Sequence, residues 1–249
     1  MGTALVTGAA RGIGRAACVR LAADGFDVVA ADRDPDGARE TAALVNGRAV
    51  VCDVTEAAQV SELALSLTEL DVVVNNAGIW RFTPIASTPL DEARAVIEVN
   101  LIGTLSCTQL LAPVMARSGG GSIVNLTSIT AKAVTPNVGI YPATKAGLIA
   151  FTKQTALEYA KDGIRCNAVG PGMVVTEGTL DTYGHDEATQ NERGAVLPLG
   201  RLAEPADIAD VISFFAGRDS RYVTGQVLFV DGGLTEATTV FMGSARSTH

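Results

Sequence analysis

Short apolar runs alternate with longer amphipathic stretches along the chain. Thr3 to Thr7 is apolar and is followed by a glycine-rich turn, then a helical pattern through Ala23. The same rhythm predicts strands at Asp27 to Ala31, Arg48 to Cys52 and Asp71 to Asn75, with helices at Pro35 to Asn46 and Glu56 to Thr68 between them. A long helix is predicted from Leu90 to Arg117, a strand at Ser122 to Thr127, a helix from Tyr141 to Asp162 and a strand at Ile164 to Val169. A last helix, Pro205 to Ala216, precedes a strand at Gln226 to Val230. Strict alternation of strand and helix implies an α/β fold: a doubly wound parallel sheet with right-handed crossovers and helices on both faces. No repeat, low-complexity block or Pro/Ser-rich linker interrupts it, so residues 1–233 read as a single domain. The stretch from Met173 to Arg201 breaks the rhythm, being polar and aperiodic, and a segment of that length predicts a substrate lid at about 173–201. Residues 234–249 form a tail with one apolar patch at Val240, Phe241 and Met242, and read as a frayed terminus.

Composition narrows the function classes. The 249 residues are 47% hydrophobic and 18% charged, enough for one large core. Aromatics make up 5% while glycines number 26, so Ala, Val, Leu and Ile must build that core, as in a parallel sheet between helices. A net charge of -8 gives nucleic acid and anionic membranes little to hold, and neither is expected as a partner. Cys18, Cys52, Cys107 and Cys166 form no C-x-x-C pair, which suits a reducing, cytoplasmic setting. With only His185 and His249, a histidine metal site or a Ser-His-Asp triad lacks material, so no metal is expected. The opening Met1 to Val6 carries no basic run, and Val6 stands where myristoylation wants Ser or Thr. No run of eighteen or so apolar residues stands out, so a soluble, untargeted chain is expected.

Two constellations carry chemistry. Gly8, Gly12 and Gly14, with Arg11 and Ile13 between them, make a strand-turn-helix junction whose backbone amides can approach a pyrophosphate. Asp32 closes the second strand, where a carboxylate can accept both ribose hydroxyls of an adenosine. The second constellation is Tyr141-Pro142-Ala143-Thr144-Lys145. Pro142 suits a first helical turn, which places Tyr141 and Lys145 on nearly one face. A free tyrosine titrates near about 10, so acid/base work near neutrality needs roughly 4 kcal/mol in favour of phenolate. One ammonium at ~4 Å with an effective dielectric of about 20 supplies that amount, so Lys145 is expected to lower the pKa of Tyr141.

Ser128 ends a strand, Asn100 lies in the long helix, and Asn75-Asn76-Ala77-Gly78 ends the fourth strand. With Thr7, Asp53-Val54, Pro171-Gly172 and Asp231-Gly232-Gly233, these motifs fall in the order found in the short-chain dehydrogenase/reductase family, which the chain resembles over Met1 to about Gly233. The resemblance implies a Rossmann-like fold and a hydride-transferring oxidoreductase acting on a small or medium secondary alcohol or ketone. It makes Tyr141 the acid/base, Ser128 the residue that orients the substrate oxygen, and Lys145 a partner of Tyr141 and the nicotinamide ribose. Asn100 would hold a water that passes the proton onward. Asp53 and Val54 would meet the adenine, Asn76, Ala77 and Gly78 the adenosine side, and Pro171, Gly172, Val174 and Thr176 the nicotinamide amide.

The expected cofactor is NAD, with NADP the alternative. Asp32 would repel a 2'-phosphate, whereas Arg11 and Arg33 stand where relatives preferring NADP reach that phosphate; Arg33 is expected to be engaged by Asp34 or Asp36. For the substrate, Trp80 and Phe82 are expected to form an apolar wall, with Tyr183 and His185 contributed by the lid. The small apolar surface of the helix after Tyr141, at Ala146, Gly147, Leu148, Ala150 and Phe151, together with the resemblance, implies a homotetramer. Two rival functions remain at this level. One is a dinucleotide-sensing regulator without turnover; the other is a carrier-protein-linked 3-oxoacyl reductase, which the negative charge disfavours.

Overall fold

A computed structural model describes residues 2–237; the apolar patch at Val240, Phe241 and Met242 lies outside the described residues. Seven parallel strands form one sheet in the order β3-β2-β1-β4-β5-β6-β7: β1 Thr3–Thr7, β2 Asp27–Asp32, β3 Arg48–Val51, β4 Val72–Asn75, β5 Gly121–Leu126, β6 Ile164–Pro171 and β7 Val227–Val230. β1 is buried along its whole length, and its alternating side chains enter two separate cores. Leu5 faces one built from Val60 and Leu63 of α3 (Ala57–Leu65) and Leu111 and Met115 of α5 (Gly103–Arg117). Ala4 and Val6 face the other, which takes Ala17 and Leu21 of α1 (Gly12–Ala23), Ala42 of α2 (Pro35–Leu44) and Ile208, Ile212 and Phe215 of α9 (Pro205–Ala216). This is the period-two pattern of a strand buried on both faces. The chain runs outward from β1 to β3, then returns to add β4 on the other side of β1. The crossovers therefore diverge between β1 and β4, opening a crevice at their carboxyl ends.

Three expectations about elements are corrected. The predicted helix Leu90 to Arg117 is α4 (Leu90–Ile97) and α5 joined by a π turn, Glu98–Ile102, which inserts an extra residue and turns Asn100 inward. At 28 residues, with a mean hydropathy of 1.4 in its most apolar window, this helix has the length and composition to cross a membrane. Its apolar side is instead spent on the core between α3 and the sheet. The helix begun at Tyr141 ends earlier than expected, as α6 (Tyr141–Glu158), and a 3-10 turn follows. The segment 173–201, expected to be aperiodic, has structure of its own, α7 (Leu180–Tyr183) and α8 (Glu187–Gly194). Asp186 caps α8 by accepting from the Thr189 amide at 2.9 Å, an interaction too local to leave an apolar period.

Candidate active site

The crevice is a cleft of ≈ 450 Å³ walled by the β1–α1 turn, the ends of β2 and β3, residues 76–80 and residues 176–178. Its floor is backbone. Gly8 and Gly12 adopt φ of +65° and +55°, and a Cβ added to Gly14 would stand 2.1 Å from the Gly8 carbonyl oxygen. Asn76 fastens this turn, its Nδ2 donating to the carbonyls of Thr7 at 3.0 Å and Gly8 at 2.9 Å. The Thr7 hydroxyl accepts from the amides of Asn76 and Ala77, each at 3.1 Å. On the other side Thr41 donates to the Ala9 carbonyl at 2.8 Å and accepts from Arg15 Nε at 3.0 Å. α1 has no side-chain cap and no acidic residue in its first turn, so its leading amides lack a local acceptor. A rigid, side-chain-free cradle of open N–H groups at a helix start fits the pyrophosphate of a dinucleotide.

At the adenosine end, Asp32 Oδ2 accepts from the Ala10 amide and Oδ1 from the Asp34 amide, both at 2.9 Å. Each oxygen keeps a lone pair for a ribose hydroxyl. Asp53 Oδ1 accepts from the amide and hydroxyl of Thr55, which ties down the end of β3, and Val54 packs against Gly103. The expected engagement of Arg33 is corrected. Asp36 pairs with Arg39 and Asp34 accepts from the amides of Asp36 and Gly37 as the cap of α2, leaving Arg33 exposed on the rim of the cleft with Arg11.

The end of the site that holds Tyr141 and Lys145 is set by α6. Pro142 occupies its first turn, and the Thr127 hydroxyl donates to the Lys145 carbonyl at 2.7 Å, docking the helix on the end of β5. Lys145 is buried; its Nζ donates to the Leu126 carbonyl at 2.7 Å and lies 5.6 Å from the Tyr141 ring centroid. Ser128 caps the 3-10 turn Ile129–Ala131 by accepting from the Thr130 amide, and its hydroxyl is near enough to Tyr141 to pull the phenol's pKa down. Asn100, fully buried, accepts from the Ile79 amide at 2.8 Å and donates to the Ile79 carbonyl at 2.9 Å and to Thr144 at 3.2 Å. Gly78 fills the space between Asn100 and Lys145, where a Cβ would stand 3.3 Å from Asn100 Oδ1 and 3.5 Å from Lys145 Nζ.

The electrostatics reverse the expectation for Tyr141. Burial pushes its phenol up to about 12; the Ser128 hydroxyl pulls the other way, and the Tyr183 phenol adds to the rise. Lys145 does not offset this, because burial also lowers its own pKa to about 8 and its ammonium is directed at the Leu126 carbonyl. Without a bound cofactor both charged forms are disfavoured, and the phenol is held as a proton donor.

The segment 173–201 comes against the glycine turn. Val174 is buried and bridges to Ala203, the Thr179 hydroxyl accepts from the Thr176 amide at 2.8 Å, and the Thr176 methyl rests against Gly12. Pro171 ends β6, and Gly172 passes the Asp231 backbone at a distance that leaves no room for a Cβ. Of the substrate candidates, Trp80 lines the cleft with its ring against Gly178, and Tyr183 is near enough to Tyr141 to shift its titration. Phe82 is 57% exposed, and His185 is exposed with its Nε2 2.9 Å from Asp181 Oδ1, so neither is brought into the cleft.

Comparisons with known proteins agree with this geometry. A family model described as enoyl-(acyl carrier protein) reductase matches residues 8–235. The 3-oxoacyl-[acyl-carrier-protein] reductase of Staphylococcus aureus is 36% identical, over 93% of this chain and 97% of its own. The (3R)-3-hydroxyacyl-CoA dehydrogenase of Rattus norvegicus is 39% identical, over 93% and 95%. The chain belongs to the short-chain dehydrogenase/reductase family. The solved aldohexose dehydrogenase of Thermoplasma acidophilum is similar throughout, with a TM-score of 0.86, 34% identity and 94% of each chain covered. As a short-chain dehydrogenase/reductase the protein is an oxidoreductase that uses a nicotinamide dinucleotide, and the cradle at Gly8 to Gly14 with Asp32 beyond it suits that group. Sequence reading passed over Arg15 and Thr41, which brace the turn, and Glu177 and Gly178, which roof it. Their partners are distant in sequence, and no local spacing marks them.

Proposed function

We propose that this short-chain dehydrogenase/reductase interconverts a small or medium secondary alcohol and its ketone, with NAD preferred and Tyr141 as the acid/base. The observation that carries the reading is the meeting of Tyr141, Ser128 and Lys145 beside a backbone cradle suited to a dinucleotide. A bound nicotinamide supplies or accepts the hydride and, when oxidised, adds positive charge to the site. Ser128 holds the substrate oxygen by hydrogen bond, and Tyr141 gives its proton to that oxygen in reduction and takes it back in oxidation. A phenol held at about 12 is ready as donor; the alcohol-oxidising direction needs the added positive charge to favour phenolate. The Asn100 side chain spends both amide protons on Ile79 and Thr144, so a water that passes the proton onward would rest on an oxygen lone pair of Asn100.

NAD preference rests on Asp32, whose carboxylate faces the cleft and would meet a 2'-phosphate with like charge. Arg11 and Arg33 oppose it. A cytoplasmic setting is supported by four buried thiols, all free, and a homotetramer by the exposed Ala143, Ala146, Ala150 and Leu157 along one side of α6. A second reading, reduction of 3-oxoacyl thioesters, is favoured by the activities for which the two relatives are named. A screen of secondary alcohols, sugars, hydroxysteroids and 3-oxoacyl thioesters with both cofactors, followed by nicotinamide absorbance, tests both. Turnover only with thioesters selects the second reading; no turnover with any substrate, with dinucleotide still bound, returns the chain to a sensing role.

A further inference from the structure

Glu177 is left without a role by the chemistry above, yet it lines the dinucleotide cleft. Its Oε2 lies 3.8 Å from the position a Cβ would take on Gly12, the first residue of α1, and its neighbour Thr176 touches the same glycine. α1 begins without a side-chain cap and without an acidic residue in its first turn, so its positive end has no carboxylate of its own. Glu177 is exposed and has no ion-pair partner among the described residues. The segment bearing it is held at both ends: Thr179 accepts from the Thr176 amide and donates to the Val174 carbonyl, and Gly178 packs under the Trp80 ring.

From this placement we infer that Glu177 is an affinity-setting gate: in the free enzyme its carboxylate stands at the anion cradle of α1, and a dinucleotide must displace it to seat its pyrophosphate. The inference rests on the dinucleotide reading of the cleft. Two effects act together. The carboxylate lies near the positive helix end that the pyrophosphate also needs and competes for it through space, and, once displaced, it remains a negative charge close to a dianionic group. Both weaken binding and hasten release of the cofactor, a useful property where product release limits turnover. Because the effect is electrostatic and near solvent, it must fade as salt rises.

The test is calorimetric titration of the wild-type protein and Glu177→Gln with ADP, and with adenosine, at low and high ionic strength. ADP carries the pyrophosphate and adenosine does not. Glu177→Gln is expected to bind ADP about tenfold more tightly at low salt, with the gain shrinking at high salt and adenosine affinity unchanged. ADP affinity within twofold of wild type, or an equal gain for adenosine, would overturn the gate while leaving the dinucleotide site intact. Failure of both proteins to bind ADP at all would overturn the dinucleotide reading itself, and the gate with it. Thermal melts of the two proteins, expected to coincide, separate a local charge effect from misfolding.

Discussion

Lys145 offers a quantitative handle on how much stability the site costs the fold. Its ammonium is buried, with the Leu126 carbonyl as its hydrogen-bond acceptor and no ion-pair partner among the described residues. Holding its pKa at about 8, against 10.5 for the free side chain, destabilises the folded state by about 3 kcal/mol wherever both states are charged, that is below about pH 8. Between pH 8 and 10.5 the unfolded chain binds the proton that the folded chain has released. Stability from this group therefore rises with pH through that window and falls as pH drops through 8. From pH 7 to pH 9 the gain is about 1 kcal/mol. Lys145→Met removes the charge and keeps the length, at the loss of one hydrogen bond that leaves the Leu126 carbonyl unpaired, about 1 to 2 kcal/mol. The variant should be inactive yet more stable at pH 7 by about 1 to 2 kcal/mol, with the gap narrowing by about 1 kcal/mol at pH 9. Urea unfolding of both proteins without cofactor at the two pH values measures this. The four buried thiols, raised to about 11 or 12, lower stability above pH 9 in both proteins and cancel in the difference. A variant less stable than wild type at both pH values, with an unchanged gap, would refute the account of Lys145 as an unpaired buried cation.

Tyr141→Phe should lose more than about nine-tenths of turnover while dinucleotide affinity stays within a few fold; a smaller loss, below roughly 1.4 kcal/mol in barrier, removes Tyr141 as the acid/base. Asp32→Ala should shrink or reverse a preference for NAD of at least about tenfold in kcat/KM while sparing kcat at saturating cofactor, as like-charge repulsion is relieved. A wild-type enzyme that already prefers NADP would show that Arg11 and Arg33 govern the pocket. Gly14→Ala should abolish dinucleotide binding in titrations, since its methyl would meet the Gly8 carbonyl at 2.1 Å and spread the turn; a variant that binds as wild type does would mean the turn is pliable. Light scattering at micromolar concentration should give about four times the 25.6 kDa of one chain; a monomer mass refutes the tetramer.

Much of this molecule was legible locally. The alternation of strands and helices, the glycines that need positive φ or close approach, and the one-turn spacing of Tyr141 and Lys145 all depend on backbone sterics and short-range periodicity, which a sequence carries directly. β1 and α9 fall on the expected residues for that reason. Tertiary structure decided what depends on distant partners. The π turn that sends Asn100 to Ile79 and Thr144 leaves no apolar period to read. Arg33 has no ion-pair partner among the described residues, Asp34 being taken by a helix cap and Asp36 by Arg39. Phe82 and His185, apolar wall and lid residue by position, turn to solvent, whereas Glu177 reaches the start of α1. Above all, the direction in which Tyr141 titrates could not be worked out from spacing alone. Spacing sets how close an ammonium can come; burial, a property of the packed chain, sets how strongly each charge is disfavoured, and here burial is the larger effect.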